Sequence, residues 1–270
     1  MSKIKTALIS LHDKDKLQTI LRVFRKYKIK IISSGGTFKK IKELGYQSIK
    51  LSEFTNFPEL LDGRVKTLHP KIHAGILSKK DNIKHTKEMR NSGFQKIDLV
   101  IVNFYPFEET IKKTNNFKKI IENIDIGGPT LVRAAAKNHD RVTIIYSKND
   151  YGALISELKK NKGSTSLKFR RDMAEKAFLN TAFYDTSISN YFTKLSKNYF
   201  PEKKIISGEK IDDLRYGENP HQRAAIYSYS GNTLDIAQLS GKKLSFNNFN
   251  DMYSALSISS LLPQNSGTVI

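Results

Sequence analysis

Residues 97–104 read IDLVIVNF, a nearly continuous apolar run that ends at Asn103. A run of this kind predicts a strand that is buried on both faces, as in a parallel sheet. Ligands of open α/β sheets bind at the carboxyl ends of the strands. Asn103 and Tyr105 occupy that position, so we predict that they lie at a binding site. Packing over the strand end is the simpler explanation for a single tyrosine, and both interpretations stand at this point.

Strands and helices alternate on both sides of this run. Strands are predicted at residues 4–11, 29–34, 48–51 and 141–146, and helices at 14–27, 35–44, 82–92, 150–160 and 167–195. This alternation predicts an α/β fold with a mainly parallel sheet. Residues 196–204 form a short polar segment containing Pro201, which we interpret as a domain boundary. Beyond it the pattern predicts a strand at 224–229, a helix at 252–262 and a final strand at 267–270.

The composition is that of a globular protein, with 39% hydrophobic and 27% charged residues among 270. Cysteine is absent, which excludes disulfides, cysteine-ligated zinc and thiol nucleophiles. No apolar run approaches the roughly 18 residues of a membrane span, and the N-terminus lacks the pattern of a cleaved signal peptide. We therefore expect a cytoplasmic protein without membrane contact.

The net charge is +20, from 46 Lys and Arg against 26 Asp and Glu. Such a charge suits nucleic acid, a membrane surface or anionic metabolites. The lysines are scattered along the chain, and no nucleic-acid-binding motif accompanies them. A phosphate-bearing small molecule is therefore favoured over a polynucleotide. The rival interpretation, a nucleic-acid-binding protein, predicts that polynucleotide binding weakens steeply with salt.

A basic segment, GRVKTLHPKIHAG, spans residues 63–75. In an extended conformation Arg64 and Lys66 point to the same side. Together with the hydroxyl of Thr67 they could receive a phosphate or a carboxylate. A solvated basic loop explains the same residues equally well, so the segment alone does not decide between the two.

Two of the six histidines, His69 and His73, are four residues apart in this segment. Pro70 lies between them, and no carboxylate completes a set of metal ligands. We expect no metal site here.

Two strand-to-helix turns predict further anion sites. Residues 10–14 read SLHDK, with Asp13 as a possible N-cap of the next helix. Residues 34–37 read SGGT, and the free amides of such a turn can hold a phosphate. The second turn lacks the lysine of a P-loop, and a plain connector would also carry two glycines.

Residues 125–137 read DIGGPTLVRAAAK. Pro129 suits the first turn of a helix, so Asp125 and the glycines are predicted at its N-terminus, where amides can stabilise an oxyanion. Arg133 and Lys137 are four apart and share one helix face. A capped amphipathic helix with a solvated basic face is the alternative.

Taken together, these motifs resemble one family, that of the bifunctional purine biosynthesis enzyme AICAR transformylase/IMP cyclohydrolase. The resemblance rests on SLHDK, SGGT, the segment from Asp62 to Gly75, NFYPF at 103–107 and DIGGPTLVRAAAK. It extends to RYGENPHQ at 215–222 and LSFNN at 244–248, which resemble the opening of the transformylase domain. The resemblance implies a methylglyoxal-synthase-like three-layer α/β sandwich at 1–198. It further implies the start of an α+β, cytidine-deaminase-like domain at 199–270.

The first domain of this family closes formyl-AICAR (FAICAR) to IMP with loss of water, without cofactor or metal. The resemblance assigns the substrate's phosphate and ribose end to Ser10, His12, Lys14, Ser34, Gly35, Gly36, Thr37, Arg64 and Thr67. It assigns the chemistry to Lys66, Tyr105, Asp125 and Lys137, with Asn103 orienting the substrate and the amides near Ile126 and Gly127 facing an oxyanion. A lysine and an aspartate can relay a proton, so we expect Lys137 and Asp125 to form that pair.

The chain departs from the family pattern at two places. His12 stands where the family usually has a small hydroxyl residue. The family's Lys-His pair for formyl transfer would follow residue 270, so we expect neither transformylase activity nor a site for 10-formyltetrahydrofolate in these residues. Arg215, Tyr216 and Asn248 would contact AICAR in a partial site.

The family enzyme is a homodimer, and the resemblance does not decide whether this chain assembles in the same way. The alternative function is a non-catalytic nucleotide- or anion-binding effector module of the same fold. That alternative does not explain why Lys66, Tyr105, Asp125 and Lys137 occur together.

Overall fold

The computed structural model describes residues 1–197, 199–229 and 238–267, with the side chain of Tyr229 left out. The chain divides into two compact units, Met1–Lys197 and Asn198–Ile270. We call them the first and the second unit. Among the described residues, no helix is both long and apolar enough to cross a bilayer.

The first unit is built on a five-stranded parallel sheet of order β4-β3-β2-β5-β6. These strands are β2 (Thr6–Ser10), β3 (Lys30–Ser33), β4 (Ile49–Lys50), β5 (Leu99–Val102) and β6 (Thr143–Ile145). A short antiparallel pair, β1 (Ser2–Lys3) and β7 (Ser164–Thr165), lies beside it. The α/β fold with a parallel sheet is thus confirmed, and every residue of β5 is buried, as the apolar run predicted.

Helices cover both faces of this sheet. They are α1 (Leu17–Lys26), α2 (Gly35–Glu43), α3 (Leu51–Thr55), α4 (Pro70–Leu77), α5 (Ile83–Asn91), α6 (Phe107–Lys113), α7 (Phe117–Glu122), α8 (Gly127–Lys137), α9 (Tyr151–Lys160) and α10 (Leu167–Leu195). Helix α1 packs against α9, whereas α8 packs against β5, β6, α4 and α10. Two 3₁₀ turns, Leu61–Gly63 and Lys148–Asp150, complete this unit.

The second unit contains an antiparallel pair, β8 (Gly208–Asp213) with β9 (Ala225–Tyr229), and helix α11 (Phe246–Ser259). The helix begins six residues earlier than predicted because Ser245 and Asn248 form a capping box at its start. The strand predicted at 267–270 falls mostly on residues 268–270, which lie outside the described residues.

One local prediction in the first unit is wrong. Asp13 does not cap α1, because that helix begins at Leu17 after Lys16 turns the chain in the left-handed region (φ 56°). Four short helices, α3, α4, α6 and α7, were not predicted, since segments of five to eight residues contain too little apolar periodicity to be recognised.

A buried guanidinium, that of Arg141, joins three elements of the first unit. Its side chain is 5% exposed, and burial lowers its pKa while Asp98 opposes that shift. It donates to the carbonyl oxygens of Gly75, Ile76, Ser78 and Ile97 and to the carboxylate of Asp98, at 2.6–3.1 Å. The second oxygen of Asp98 accepts from the amides of Lys5 and Thr6. The end of α4 is thereby fixed to the starts of β2, β5 and β6.

We expect Arg141→Met to lower the free energy of unfolding by about 3–5 kcal/mol, because Asp98 then keeps a buried charge without its partner. Arg171→Met is the matched control, since Arg171 is an exposed arginine on α10 and its loss should cost under about 0.5 kcal/mol. Urea unfolding followed by circular dichroism measures both. Equal midpoints for the two variants would contradict the structural role of Arg141.

Candidate active site

Polar residues collect at the carboxyl ends of β2, β3 and β5. The sheet order reverses at β2, since β3 lies on one side of it and β5 on the other. In open α/β sheets such a switch point forms a crevice for ligands. This crevice is therefore surrounded by the loop after β2, the start of α2 and the segment after β5.

The first group in this crevice is an anion cradle, formed by Ser10, Lys14, Ser34, Gly35, Gly36 and Thr37. The hydroxyls of Ser10 and Ser34 are 2.9 Å apart, and buried Thr37 bonds to both the amide and the carbonyl of Leu11. Helix α2 begins at Gly35, so its first amides have no partner within the helix. Such amides and the helix dipole favour an anion.

Lys14 supplies the cation of this cradle. Its ammonium donates to the carbonyl of His12 at 2.9 Å. A Cβ placed on Gly36 would lie 3.8 Å from the same nitrogen. The charge of Lys14 is therefore held beside the first turn of α2.

Asn103 fixes the loop that carries Lys14. Its side-chain oxygen accepts from the amides of His12 (2.6 Å) and Asp13 (3.3 Å), and its nitrogen donates to the carbonyl of Asp13 (2.8 Å). The sequence assigned Asn103 to orienting the substrate. In the structure its amide group is engaged with the loop that carries His12 and Lys14.

A cavity of about 530 Å³ opens beside this loop. Its lining includes His12, Lys14, Asn103, Tyr146 and Lys148. The ring of His12 meets that of Tyr105 edge to face, with centroids 5.1 Å apart. Tyr105 is 37% exposed, so it does not merely pack over the strand end.

Asp125 is a partly buried carboxyl group of the crevice whose pKa is raised. Burial raises its pKa, against the opposing effects of hydrogen bonds from the amides of Gly128 and Tyr105 and of the charge of Lys66. The Gly128 bond measures 2.8 Å. The backbone amide of Asp125 donates to the hydroxyl of Tyr184 on α10 at 2.7 Å. A partly buried carboxyl group of raised pKa is a candidate for proton transfer.

Close packing fixes the start of α8 against its neighbours. A Cβ on Gly127 would collide with the hydroxyl of Thr67, and one on Gly128 would come within 3.0 Å of Phe104 and closer to Asp125. Buried Thr67 is thus held against the helix N-terminus. Pro129 has no amide hydrogen and the amide of Gly128 is engaged, which leaves the amide of Gly127 in the first turn for a ligand.

The basic segment is only partly in the predicted conformation. The backbone of Arg64 has helical angles. The prediction that Arg64 and Lys66 point to the same side assumed an extended backbone, so that assumption does not hold at Arg64. The guanidinium of Arg64 is exposed and paired with Glu122 of α7. Lys66 lies close enough to Asp125 to lower the pKa of that carboxyl group. Of the two cations, Lys66 is the one that faces the perturbed carboxyl.

The two histidines of this segment have local structural contacts: one caps a helix and the other is partly buried. His69 caps α4, accepting from the amide of Lys71 at 3.1 Å, and burial lowers the pKa of His73. In the described part of the chain, no three His, Asp or Glu side chains are grouped as metal ligands.

Lys137 lies at the opposite end of α8 from Asp125. Ten residues separate Gly127 from Lys137, and a rise of 1.5 Å per residue places them about 15 Å apart along the axis. The side chain of Lys137 is exposed. The structure therefore does not bring Lys137 and Asp125 together within one chain, and the predicted direct relay between them is not formed there.

The residues predicted for a partial second site do come together in the second unit. The guanidinium of Arg215 lies 4.8 Å from the ring centroid of Tyr216. A hydrogen bond to Ser245, and a weaker effect of Arg215, lower the pKa of Tyr216. Asn248 bonds to Ser245 within the capping box, and Phe246 donates its amide to the carbonyl of Tyr216.

Two residues near the crevice were not singled out in the sequence. Tyr184 was assigned to an apolar helix face, yet its hydroxyl supports Asp125, and burial raises its pKa to about 12. Lys148 follows β6 and contacts the loop after β2. Its position after a strand end was the available signal, whereas nothing in the sequence marked Tyr184.

Matches to known protein families define the class of protein to which the chain belongs. A family profile described as an MGS-like domain matches residues 16–130, which include Asp125 and the Ser34–Thr37 part of the cradle. The profile of the AICARFT/IMPCHase bienzyme matches residues 135–270, half of the chain. The chain belongs to this AICARFT/IMPCHase bienzyme family.

Curated relatives agree with this assignment. "Bifunctional purine biosynthesis protein PurH" of Bradyrhizobium diazoefficiens is 46% identical over 92% of this chain and 48% of its own length. The proteins of that name from Bacillus mycoides and Persephonella marina are each 48% identical over 94% of this chain and 50% of their own. The chain thus spans about half the length of these relatives.

A solved structure titled "Crystal structure of ForH" is also similar. It aligns with a TM-score of 0.61 and 27% identity, covering 70% of this chain and 99% of that one. A protein of roughly the size of the first unit therefore shares much of this architecture.

We expect Asp125→Asn to raise the free energy of unfolding at pH 7. The pKa of Asp125 is raised in the folded protein, so the folded state disfavours the carboxylate, and this cost is present above the folded pKa. It disappears as pH falls through the folded pKa and below the unfolded value of about 3.9. Urea titrations from pH 4 to pH 7 should show the advantage of the variant growing with pH. An advantage independent of pH would contradict the assignment.

Proposed function

We propose that the first unit closes FAICAR to IMP with loss of water. The observation that carries the proposal is the pairing of an anion cradle with a buried carboxyl group of raised pKa at the same edge of the sheet. The cradle suits the 5′-phosphate of a nucleotide. Membership of the AICARFT/IMPCHase bienzyme family supports this reaction over other uses of the fold.

The chemistry needs one proton acceptor and one site for negative charge. The carboxamide nitrogen attacks the formyl carbon, the new C–N bond forms, and the formyl oxygen takes up charge. The carboxamide nitrogen loses one proton and the former formyl oxygen gains one, so that it becomes a hydroxyl. This hydroxyl leaves as water together with the proton of the formamide nitrogen, which makes the ring aromatic.

Asp125 is the group we assign to proton transfer. Its raised pKa allows it to accept the proton from nitrogen and to deliver it to the departing hydroxyl. The amide of Gly127 and the charge of Lys66 stabilise the oxyanion, and Tyr105 positions the ring that carries both reacting groups. Because these groups belong to one molecule, holding a near-attack conformer contributes much of the acceleration. We assign no cofactor or metal to this step.

The role of Lys137 requires a second copy of the chain. The family resemblance assigns this lysine to the reaction, but its position at the far end of α8 excludes direct contact with Asp125 of its own chain. We therefore propose a homodimer in which Lys137 of one copy serves the crevice of the other.

We assign to the second unit a partial site for AICAR, the substrate of the other family activity, and not the complete transfer reaction. Arg215, Tyr216 and Asn248 offer a guanidinium, a phenol and an amide in one place, which suits the AICAR that accepts a formyl group from 10-formyltetrahydrofolate. The proposed location of the protein is the cytoplasm.

Conversion of FAICAR to IMP by the purified chain, followed by ultraviolet absorbance, tests the main proposal. We expect Lys66→Met to lower kcat at least about 10²-fold, because it removes charge stabilisation next to Asp125. Lys71→Met, in the same segment but with its ammonium over Phe54, is the control and should retain activity. IMP binding without ring closure by the wild type would favour the effector module instead.

Mixing two variants tests the position of Lys137. Asp125→Asn and Lys137→Gln should each be inactive alone. If the crevice takes Lys137 from the partner, a mixed dimer keeps one intact crevice of two, so an equal mixture recovers about a quarter of wild-type activity. No recovery, with exchange of subunits shown by mass spectrometry, would contradict this arrangement.

A further inference from the structure

Lys148 connects the end of β6 to the loop that carries the cradle lysine. It lies in the 3₁₀ turn Lys148–Asp150, which is fixed by a hydrogen bond from the amide of Asn149 to the hydroxyl of Ser147. Its ammonium contacts Asp13 at 2.8 Å and Asp15 at 3.1 Å. Both carboxylates thus share one cation from a distant part of the chain.

The two aspartates flank Lys14 in the sequence. Without another partner, either carboxylate could pair with Lys14 and would also repel a bound anion. Among the described residues, Lys14 forms no ion pair with Asp13 or Asp15; its ammonium lies beside the start of α2 instead. Lys148 and Lys14 also line the same cavity.

We propose that Lys148 is a positioning residue of the anion cradle. It occupies the carboxylates of Asp13 and Asp15, so that Lys14 stays directed at the phosphate of a nucleotide. This inference rests on the proposed function, since it concerns the phosphate end of the same site.

The electrostatics of the three groups agree with this role. The hydrogen bond from Lys148 is the largest cause that lowers the pKa of Asp13, and the bond to Asp13 is the largest that raises the pKa of Lys148. Asp13 and Lys148 are therefore both charged at neutral pH. The loop 13–16 carries two aspartates and two lysines, so its net charge is zero. Lys148 makes the net charge of this region positive.

The test compares Lys148→Met with a variant that removes the need for the lysine. Lys148→Met keeps an apolar stem without the charge, and Lys148→Met/Asp13→Asn/Asp15→Asn also removes both carboxylates. Asparagine can still accept the local bonds from the amides of Asp15 and Lys16. Lys176→Met breaks another lysine–aspartate pair, between an exposed lysine and the largely buried side chain of Asp150, and serves as the control.

Calorimetric binding of IMP and of inorganic phosphate, and the kinetics of FAICAR closure, are the measurements. We expect Lys148→Met to weaken binding of both anions about 3- to 10-fold at low salt. KM should rise by a similar factor, with kcat within about twofold. Lys148→Arg and the triple variant should restore binding to within about twofold, and Lys176→Met should not change it.

Two results would overturn the inference. One is unchanged IMP and phosphate binding by Lys148→Met. The other is a triple variant that binds as weakly as Lys148→Met while melting at the wild-type temperature, because the lysine would then shape the loop independently of the carboxylates. Absence of ring closure in the wild type, with the binding pattern intact, would reject the proposed function and leave the role of Lys148 standing.

Discussion

The buried guanidinium of Arg141 is the constraint on which the geometry of the first unit depends. Four main-chain carbonyls and one carboxylate converge on it from the end of α4 and from the segment just before β5. The last carbonyls of a helix otherwise lack partners, so this contact completes the end of α4. The start of α4 lies three residues after Thr67, and Thr67 packs against the start of α8. The ion pair of Arg141 thus fixes one end of the helix whose other end adjoins the basic segment.

The candidate active site separates two kinds of electrostatics. At one end, exposed lysines and helix amides favour a multiply charged anion. At the other end, Asp125 lies in surroundings that disfavour its negative charge. Behind it, Phe104, Tyr146 and Tyr184 form an aromatic cluster. Binding energy gained at the phosphate end can hold the reacting end of a substrate against that less polar surface. The two ends meet at the loop after β2, which contributes Lys14 to one and His12 to the other.

The sequence predicted those features that depend on local patterns. Helix α10 was predicted at its observed bounds because its apolar positions repeat over eight turns, and β5 was recognised because every residue in it is buried. Asp13 does not cap α1 because the chain turns at Lys16 and the helix begins only at Leu17, and the Asp13 carboxylate instead contacts Lys148, more than 130 residues away. Contacts of this kind depend on which strands become neighbours, and no local pattern records them.

The relation between Lys137 and Asp125 shows a different limit. Both residues were recognised by motif, and their shared helix was predicted. A motif states which residues occur together but not how far apart they are, whereas the rise of an α-helix already separates the two ends of α8. The same arithmetic was available from the sequence and would have argued against a direct contact between the two side chains within one chain.

The strand order also has a consequence for synthesis on the ribosome. The central strand β2 is made first, yet its neighbour β5 appears about ninety residues later, and Asp98 reaches the amide of Thr6 across 92 positions. Until then the nascent chain exposes one edge of an apolar strand, a surface prone to association. Contacts so distant in sequence slow folding. We therefore expect the crevice to form late in translation, with the N-terminal strands among the segments that a nascent chain most needs to keep shielded.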